Sequence, residues 1–144
     1  MSQPIILNLK TVLQMLPTRT PESHKGSYGK VLAVCGSSPY RGAAVLSVMG
    51  ALRTGAGLVT LAAPECVVAA AAARVPEAIF LAGAAQERIL EEVSRSEVCL
   101  LGCGLSADAD TAQLAKKALD ASMGVVVLDA GALCSLADDI SAIT

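Results

Sequence analysis

The stretch that decides the fold is His24–Pro64, HKGSYGKVLAVCGSSPYRGAAVLSVMGALRTGAGLVTLAAP. It contains an apolar run of strand length, a turn rich in glycine and serine, a helix-length segment and a second apolar run. This order is typical of a βαβ unit, in which a helix joins two parallel strands. The start of such a helix offers unpaired backbone N–H groups and the positive end of the helix dipole. The stretch therefore also predicts where a ligand binds.

The same alternation continues through the rest of the chain. The apolar runs Lys30–Gly36 and Leu58–Ala63 are typical of strands buried on both faces. Further strands are expected over Glu77–Leu81, Glu97–Leu101 and Gly124–Leu128. Helices are expected over Asn8–Leu16, Arg41–Thr54, Cys66–Arg74, Gln86–Arg95, Ala109–Ala121 and Ala130–Leu136. This pattern predicts an α/β fold with a parallel sheet flanked by helices in Rossmann-like layers, in a single domain over residues 1–144.

Composition and charge argue against several classes of protein. Of the 144 residues, 53% are hydrophobic but only 2% are aromatic, so the core must be built from Ala, Val, Leu and Ile. The formal net charge is −2 at pH 7 and no run of Lys or Arg occurs, which argues against nucleic-acid binding. The apolar runs, interrupted by Arg53 and Arg74, are too short to cross a membrane. Because the N-terminus also lacks a signal-peptide pattern, we expect a cytoplasmic protein.

The cysteines show neither a disulfide framework nor a zinc pattern. Their number is odd, no CxxC pair occurs, and the chain has one histidine. We therefore expect reduced thiols that act as small buried hydrophobic groups, and no metal site. The five cysteines are Cys35, Cys66, Cys99, Cys103 and Cys134.

A candidate site follows from the predicted sheet. In an open parallel sheet, ligands bind outside the carboxyl ends of the strands, so the loops that leave those ends should converge on one edge. The predicted loops of this kind are Gly36–Ser38, Ala63–Glu65, Gly102–Ser106 and Asp129–Gly131.

Each residue type in these loops has both a chemical and a structural interpretation. Gly36 would let the backbone approach a ligand, and the Ser37 hydroxyl could bind phosphate or ribose; the alternative is a plain turn with a serine helix cap. Asp129 could orient a ribose hydroxyl or hold a magnesium-bound water, or it could only cap the helix that follows. The Gly102-Cys103-Gly104 sequence is, by itself, usually just a turn.

Three segments of the chain together resemble one known family. They are HKGSYGKVLAVCGS, the YRGAA of Tyr40–Ala44, and ALRTGAGLVTLAAPE. This combination is similar to the ADP/ATP-dependent NAD(P)H-hydrate dehydratases, ribokinase-like enzymes related to carbohydrate kinases, and the likeness extends from about His24 to Leu133. It implies a ribokinase-like fold and a role in nicotinamide-nucleotide repair. The implied substrates are hydrated NADH or NADPH (NADHX or NADPHX), which a nucleotide-dependent dehydration restores.

The resemblance implies a substrate site on the same loops. Gly36, Ser37 and Tyr40 match the family pattern at the start of the first long helix, where the small Ala43 leaves room for a flat ring or ribose. Lys25 is implied on the substrate side, as a charge partner for a phosphate.

Two loops depart from the family pattern. The family's Gly-Pro-Gly-Leu-Gly loop, which helps to hold the hydrated nicotinamide, matches at Gly104 and Leu105, but Cys103 replaces its proline and Ser106 its last glycine. The family's Asp-Ala-Asp-Ala-Leu segment keeps its first carboxylate as Asp129 and has glycine in place of the second.

The family's catalytic half does not occur in this sequence. Its His-Pro-Gly-Glu-like loop, its Lys-Gly nucleotide segment and its Gly-Ser-Gly-Asp motif, which supplies the base, are all absent. We therefore assign no catalytic residue and expect a truncated fold that resembles the N-terminal half. The resemblance implies ADP or ATP with Mg2+ as cofactors, although their site is largely missing.

Several alternatives stay open at this point. The chain is either a truncated product or fragment, or a self-standing remnant that binds without catalysing. A small-molecule kinase of the ribokinase superfamily, acting on a sugar or vitamin precursor, is a second enzyme hypothesis, which HKGSYG and RTGAGLVT disfavour. A non-catalytic dinucleotide-binding module is a third. A half-sheet would expose an apolar edge, so we expect a homo-oligomer.

Overall fold

The computed structural model describes residues 5–16, 18–139 and 141. Within these ranges the strands are β1 (Lys30–Val34), β2 (Leu58–Ala63), β3 (Ile79–Ala82), β4 (Val98–Leu101) and β5 (Val125–Leu128). The helices are α1 (Leu9–Met15), α2 (Arg41–Thr54), α3 (Glu65–Ala72), α4 (Gln86–Ser94), α5 (Ala109–Ala121) and α6 (Ala130–Ser135). A short 3-10 helix, Lys25–Tyr28, precedes β1. The predicted α/β class is confirmed.

The strands form one parallel sheet in the order β3-β2-β1-β4-β5. Val31 of β1 pairs with Val59 of β2 on one side and with Val98 of β4 on the other. The chain therefore builds the sheet outward from β1 in one direction and then returns to build it in the other. This reversal between β1 and β4 is where open parallel sheets of this kind bind ligands.

The central strands are buried on both faces, as their continuous apolar runs predict. Ala33 and Cys35 pack into a core under α2 and α3, whereas Leu32 and Val34 pack into a second core under α4, α5 and α6. Small helix residues such as Ala44 and Ala115 are fully buried in these cores. Close approach of helix to sheet thus replaces the aromatic bulk that the composition lacks.

Three elements have the bounds that the sequence predicts. α2, β2 and α5 agree in both bounds with the sequence prediction. α3 starts at Glu65, one residue earlier than expected, because the backbone of Pro64 already leads into the helix. β3 starts at Ile79, which pairs with Thr60 of β2. Its position depends on that neighbouring strand.

Exposed apolar side chains include those of one helix and one strand near the ends of the described chain. α1 has no buried residue, and Val125 and Val127 of β5 are 58% and 44% exposed. β5 is an edge strand, bonded only to β4 within the described sheet. In the described part of the chain, no helix combines the length and the apolar character needed to cross a bilayer.

Candidate functional site at the carboxyl edge

The loops that follow β1 and β4 meet where the strand order reverses. The Gly36 N–H donates to the carbonyl of Cys103 at 2.8 Å, and the Gly102 N–H donates to the carbonyl of Val34 at 3.1 Å. These two bonds hold the two loops side by side at the carboxyl edge of the sheet. Gly36 and the Gly102–Ser106 loop therefore share one crevice, as the topology predicts.

Gly104 lies directly against the start of α2. A Cβ at Gly104 would be 2.7 Å from the Cβ of Ala43 and 3.0 Å from the Cβ of Tyr40. Its φ of +76° is also one that residues with side chains rarely adopt. Only glycine fits this contact, and it brings Gly104, Tyr40 and Ala43 together. Tyr40 itself is 63% exposed.

The start of α2 has no side-chain cap. Tyr40 occupies the N-cap position without a capping hydrogen bond, so the alternative of a serine helix cap is wrong. The Ser37 hydroxyl oxygen is buried and has no hydrogen-bond partner among the described residues. A buried hydroxyl without a partner is unfavourable, and a ligand that hydrogen-bonds to it would remove that penalty.

Asp129 lies across the crevice, at the end of β5. Asp129 occupies the N-cap position of α6, as the structural alternative expects, but its side chain makes no capping hydrogen bond there. Instead, its Oδ2 accepts a hydrogen bond from the Cys103 thiol, with a sulfur–oxygen distance of 3.2 Å. The exits of β1, β4 and β5 are thus joined through Cys103.

The loop after β2 borders the same region. A cavity of about 370 Å³ lies at the carboxyl ends of β1 and β2, lined by Gly36, Pro64 and Leu105 together with residues of α4 and α5. The four predicted loops therefore converge on one edge, which confirms that expectation. Of the predicted site residues, the structure brings together Gly36, Ser37, Tyr40, Ala43, Gly104 and Asp129.

Lys25 does not join this group. It lies in the 3-10 helix before β1, and its carbonyl oxygen packs so closely on Gly57 that a Cβ there would be 1.6 Å away. The Gly57 N–H in turn donates to the carbonyls of Tyr28 and Gly29. Both segments precede strands, so they lie at the amino edge of the sheet. This corrects the assignment of Lys25 to the same substrate site.

A larger cavity, of about 600 Å³, also lies at the amino edge. Thr54 and Gly55 line it, so it faces the carboxyl end of α2, where the negative end of the helix dipole disfavours anions. The Arg19 guanidinium already donates to the Gly55 carbonyl at 3.2 Å. Size therefore does not make this cavity the better candidate for a phosphate-bearing ligand.

The thiols near the crevice are held protonated. Burial, with a smaller contribution from the neighbouring Cys103, raises the pKa of Cys35 to about 12. Burial also raises the pKa of Cys103, and the hydrogen bond and charge of Asp129 act in the same direction. The expected burial of cysteines is confirmed for Cys35 and Cys99, whereas Cys134 is exposed. Sequence reasoning missed the bond from Cys103 to Asp129, although both loops that depart from the family pattern meet there.

The sequence matches one family over most of its length. The family model described as NAD(P)H-hydrate dehydratase matches residues 31–143. A bifunctional NAD(P)H-hydrate repair enzyme of Moorella thermoacetica is 40% identical over 139 residues, which cover 90% of this chain and 26% of that enzyme. An ADP-dependent (S)-NAD(P)H-hydrate dehydratase of Streptococcus pneumoniae is 32% identical over 134 residues, which cover 92% of this chain and 46% of that enzyme.

Solved structures agree. A ribokinase-like superfamily protein of Enterococcus faecalis has a TM-score of 0.82 at 24% identity, over 95% of this chain and 51% of that one, which shows the fold. An ADP/ATP-dependent NAD(P)H-hydrate dehydratase of Bacillus subtilis, co-crystallised with ATP and Mg2+, has a TM-score of 0.70 at 30% identity, over 86% of this chain and 45% of that one. The chain spans about half, or less, of the length of these relatives.

Proposed function

The chain belongs to the NAD(P)H-hydrate dehydratase family, and from that premise we propose that it serves nicotinamide-nucleotide repair, binding hydrated NADH or NADPH on the substrate side of a dehydratase. The resemblance found in the three sequence segments is thereby confirmed at the level of the family. We further propose that residues 1–144 act as one α/β domain, equivalent to the N-terminal part of the dehydratase domain.

The crevice offers a distinct role to each of its residues. Backbone approach at Gly36 and Gly104, and the small Ala43, would leave room for the ribose or the ring. The exposed Tyr40 side chain would stack on a flat ring, and the Ser37 hydroxyl would donate to phosphate near the positive end of α2. The Asp129 carboxylate would accept a hydrogen bond from a ribose hydroxyl.

One observation carries the proposal. Gly104, from the loop after β4, packs on Tyr40 and Ala43 at the point where the strand order reverses. The Ser37 hydroxyl, which has no partner within the described ranges, lies in the same loop region. Residues that match the family from two separate segments thus meet at the place where topology alone puts a ligand.

The nucleotide-dependent step of the relatives requires a site for Mg2+ and for a phosphate chain. In the described ranges, no group of three or more His, Cys, Asp or Glu side chains is placed to hold a metal ion. The only carboxylate that we assign to the crevice, Asp129, is engaged by Cys103. These residues do not fit a site for ADP or ATP with Mg2+. The resemblance to the family therefore remains the basis for expecting these cofactors. The cytoplasmic location and the choice between NADH and NADPH hydrates also stay predictions.

Calorimetric titration of the chain with NADPH and with its hydrate tests the proposal. We expect saturable binding that Ala43→Leu weakens by about tenfold or more, because the larger side chain fills the space beside Gly104. The matched control is Gly50→Leu, on the same helix at a position with open space around it, which should bind like the wild type. No saturable binding of either ligand would refute the proposed function.

A non-catalytic binding module remains the second candidate, favoured by the absence of a metal-binding group from the described residues. A binding module would use the same crevice as a dehydratase, so ligand binding alone does not distinguish the two functions. ADP- or ATP-dependent loss of NADPH hydrate, measured on the purified chain by NADPH absorbance, would reject it.

We also propose that the chain associates with itself. The support is the apolar surface at β5, where Val125 and Val127 are exposed on an edge strand. Light scattering coupled to size exclusion measures the mass directly. A well-folded monomer at micromolar concentration would contradict self-association.

A further inference from the structure

We propose that Cys103 is a positioning residue for Asp129: its thiol donates the hydrogen bond that holds the Asp129 carboxylate at the crevice. The role in ligand binding rests on the function proposed above, but the positioning itself does not. The proposal explains one difference from the family pattern, because Cys103 occupies the position of the family's proline.

The backbone fixes Cys103 from both sides. Its carbonyl accepts the Gly36 N–H at 2.8 Å, which ties it to the exit of β1. On the other side, the Asp129 N–H donates to the carbonyl of Leu101 at 3.1 Å, which fixes the exit of β5 beside the loop that carries Cys103. From this position the Cys103 sulfur reaches Oδ2 of Asp129 at 3.2 Å. A proline here would supply no side-chain donor.

Asp129 depends on this bond for its orientation. It is exposed, and its side chain does not cap α6. Among the described residues, the Cys103 thiol is the one group found to donate to its carboxylate. Without that donor, a solvent-exposed carboxylate would rotate freely and would pay an entropic cost when a ligand orders it.

The surroundings keep the donor protonated. Burial raises the pKa of the Cys103 thiol, and so do the hydrogen bond and charge of Asp129. Hydrogen bonds from Ser47 of α2 and from Cys35, whose own pKa is about 12, act in the opposite direction, but the net shift of the Cys103 pKa is upward. A raised thiol pKa means that the donor is present at neutral pH and is lost as the pH rises through that pKa. The resulting thiolate would also repel the carboxylate.

A thiol titration tests the positioning without any ligand. In a Cys66→Ser, Cys134→Ser background, Cys103 is the first remaining thiol to ionise, because Cys35 and Cys99 have pKa values of about 12. Ultraviolet absorbance of the thiolate reports its ionisation. Adding Asp129→Asn should move this ionisation to lower pH, since a group that raises the pKa of the thiol is removed.

The matched control is Asp120→Asn, which makes the same charge change at an exposed position of α5. This substitution should leave the pH at which Cys103 ionises unchanged. Equal effects of the two substitutions, or none from Asp129→Asn, would overturn the proposal.

Ligand binding provides the second arm. NADPH affinity of the wild type should fall as the pH rises through the Cys103 pKa. Cys103→Ser, which keeps a donor that does not ionise in this range, should show no such fall. Cys103→Ala should bind about three- to tenfold more weakly at every pH. Wild-type affinity in Cys103→Ala would overturn the positioning role. If the wild type does not bind NADPH at all, the proposed function fails and the thiol titration alone decides on the positioning.

Discussion

At the amino edge of the sheet the polar groups are bonded to one another. At the carboxyl edge, within the described residues, one buried hydroxyl has no partner and one exposed carboxylate is bonded by a single thiol. The His24 Nδ1 accepts the Gly26 N–H at 3.1 Å, and the Ser23 hydroxyl donates to the Thr20 carbonyl at 2.6 Å. Across the sheet, the Ser37 hydroxyl has no partner in the described part of the chain, and the Asp129 side chain is exposed.

The helix dipole separates the two edges in the same way. The positive, N-terminal end of α2 lies at the carboxyl edge, and its negative end lies at the amino edge. Two segments therefore differ in role. Residues 20–28 at the amino edge bond to one another, whereas residues 36–44 at the carboxyl edge carry the candidate site with the Ser37 hydroxyl. Substitutions at the two edges should separate stability from binding.

The largest effect is expected from Gly57→Ala. A Cβ would lie 1.6 Å from the Lys25 carbonyl oxygen, so the 3-10 helix must move away from β2. We expect a loss of about 3 kcal/mol or more in the free energy of unfolding, measured by urea denaturation. The control is Gly50→Ala, with open space around it, which should stabilise α2 by about 0.5–1 kcal/mol. A Gly57→Ala variant as stable as the wild type would show that the close contact between Gly57 and the Lys25 carbonyl does not stabilise the fold.

Gly104→Ala should affect both stability and binding. The new Cβ would lie 2.7 Å from the Cβ of Ala43, at a φ of +76° that alanine rarely adopts. We expect a loss of about 1–3 kcal/mol in the free energy of unfolding and at least about a tenfold loss of NADPH affinity. Denaturation and calorimetry measure the two. Unchanged affinity in a folded variant would show that Gly104 does not line the ligand site.

A pair of serine substitutions sharpens the contrast. Ser37→Ala should leave stability unchanged or slightly raised, because it removes a buried hydroxyl without a partner, while NADPH affinity falls about fivefold. Ser23→Ala should lower the free energy of unfolding by about 1 kcal/mol and leave affinity unchanged, because its hydroxyl is bonded to Thr20 and Tyr28. Urea denaturation measures the free energy of unfolding of each variant, and calorimetric titration measures its NADPH affinity. The same pattern in both would remove the distinction between the edges.

The smallest effect is expected from Glu97, at the amino edge. Its Oε2 accepts the Lys30 backbone N–H at 2.6 Å, and that bond is the main cause that lowers its pKa below the ordinary value of 4.5. A lowered carboxyl pKa adds stability that is present above the unfolded-state pKa and is lost as the pH falls through the folded-state pKa. Glu97→Gln should therefore reduce the fall in the free energy of unfolding that occurs as the pH becomes acidic. Near neutral pH, the slope of that free energy against pH should stay unchanged. An unchanged acid slope would contradict this.

Much of the fold could be predicted because the signals are local. α2 is bracketed by the turn before Arg41 and by Gly55, and β2 by Gly57 and Pro64, so their bounds agree with the structure. β3 could not be placed as well, since its start depends on pairing with β2. α1 forms where predicted, but nothing in its periodicity indicated that none of its residues would be buried.

For the candidate site, sequence order identified the loops and topology brought them together. Gly36, Ala43 and Gly104 follow from their place after strands or at a helix start, whereas Lys25 was implied only by its position in the family pattern and by its charge. A strand of five residues separates Lys25 from Gly36, and it carries them to opposite edges of the sheet.

The sequence by itself determined the alternation of strands and helices, the layered class and the edge at which the candidate site lies, because apolar periodicity and glycine or proline positions act over short distances. Only the tertiary structure decided that Cys103 bonds to Asp129, that Gly104 packs on Ala43, and that HKGSYG and YRGAA lie at different edges of the sheet. The physical reason is that hydrogen bonds and van der Waals contacts depend on separation in space. Strand order, which brings residues 26 or more positions apart together, is set by how the whole sheet packs.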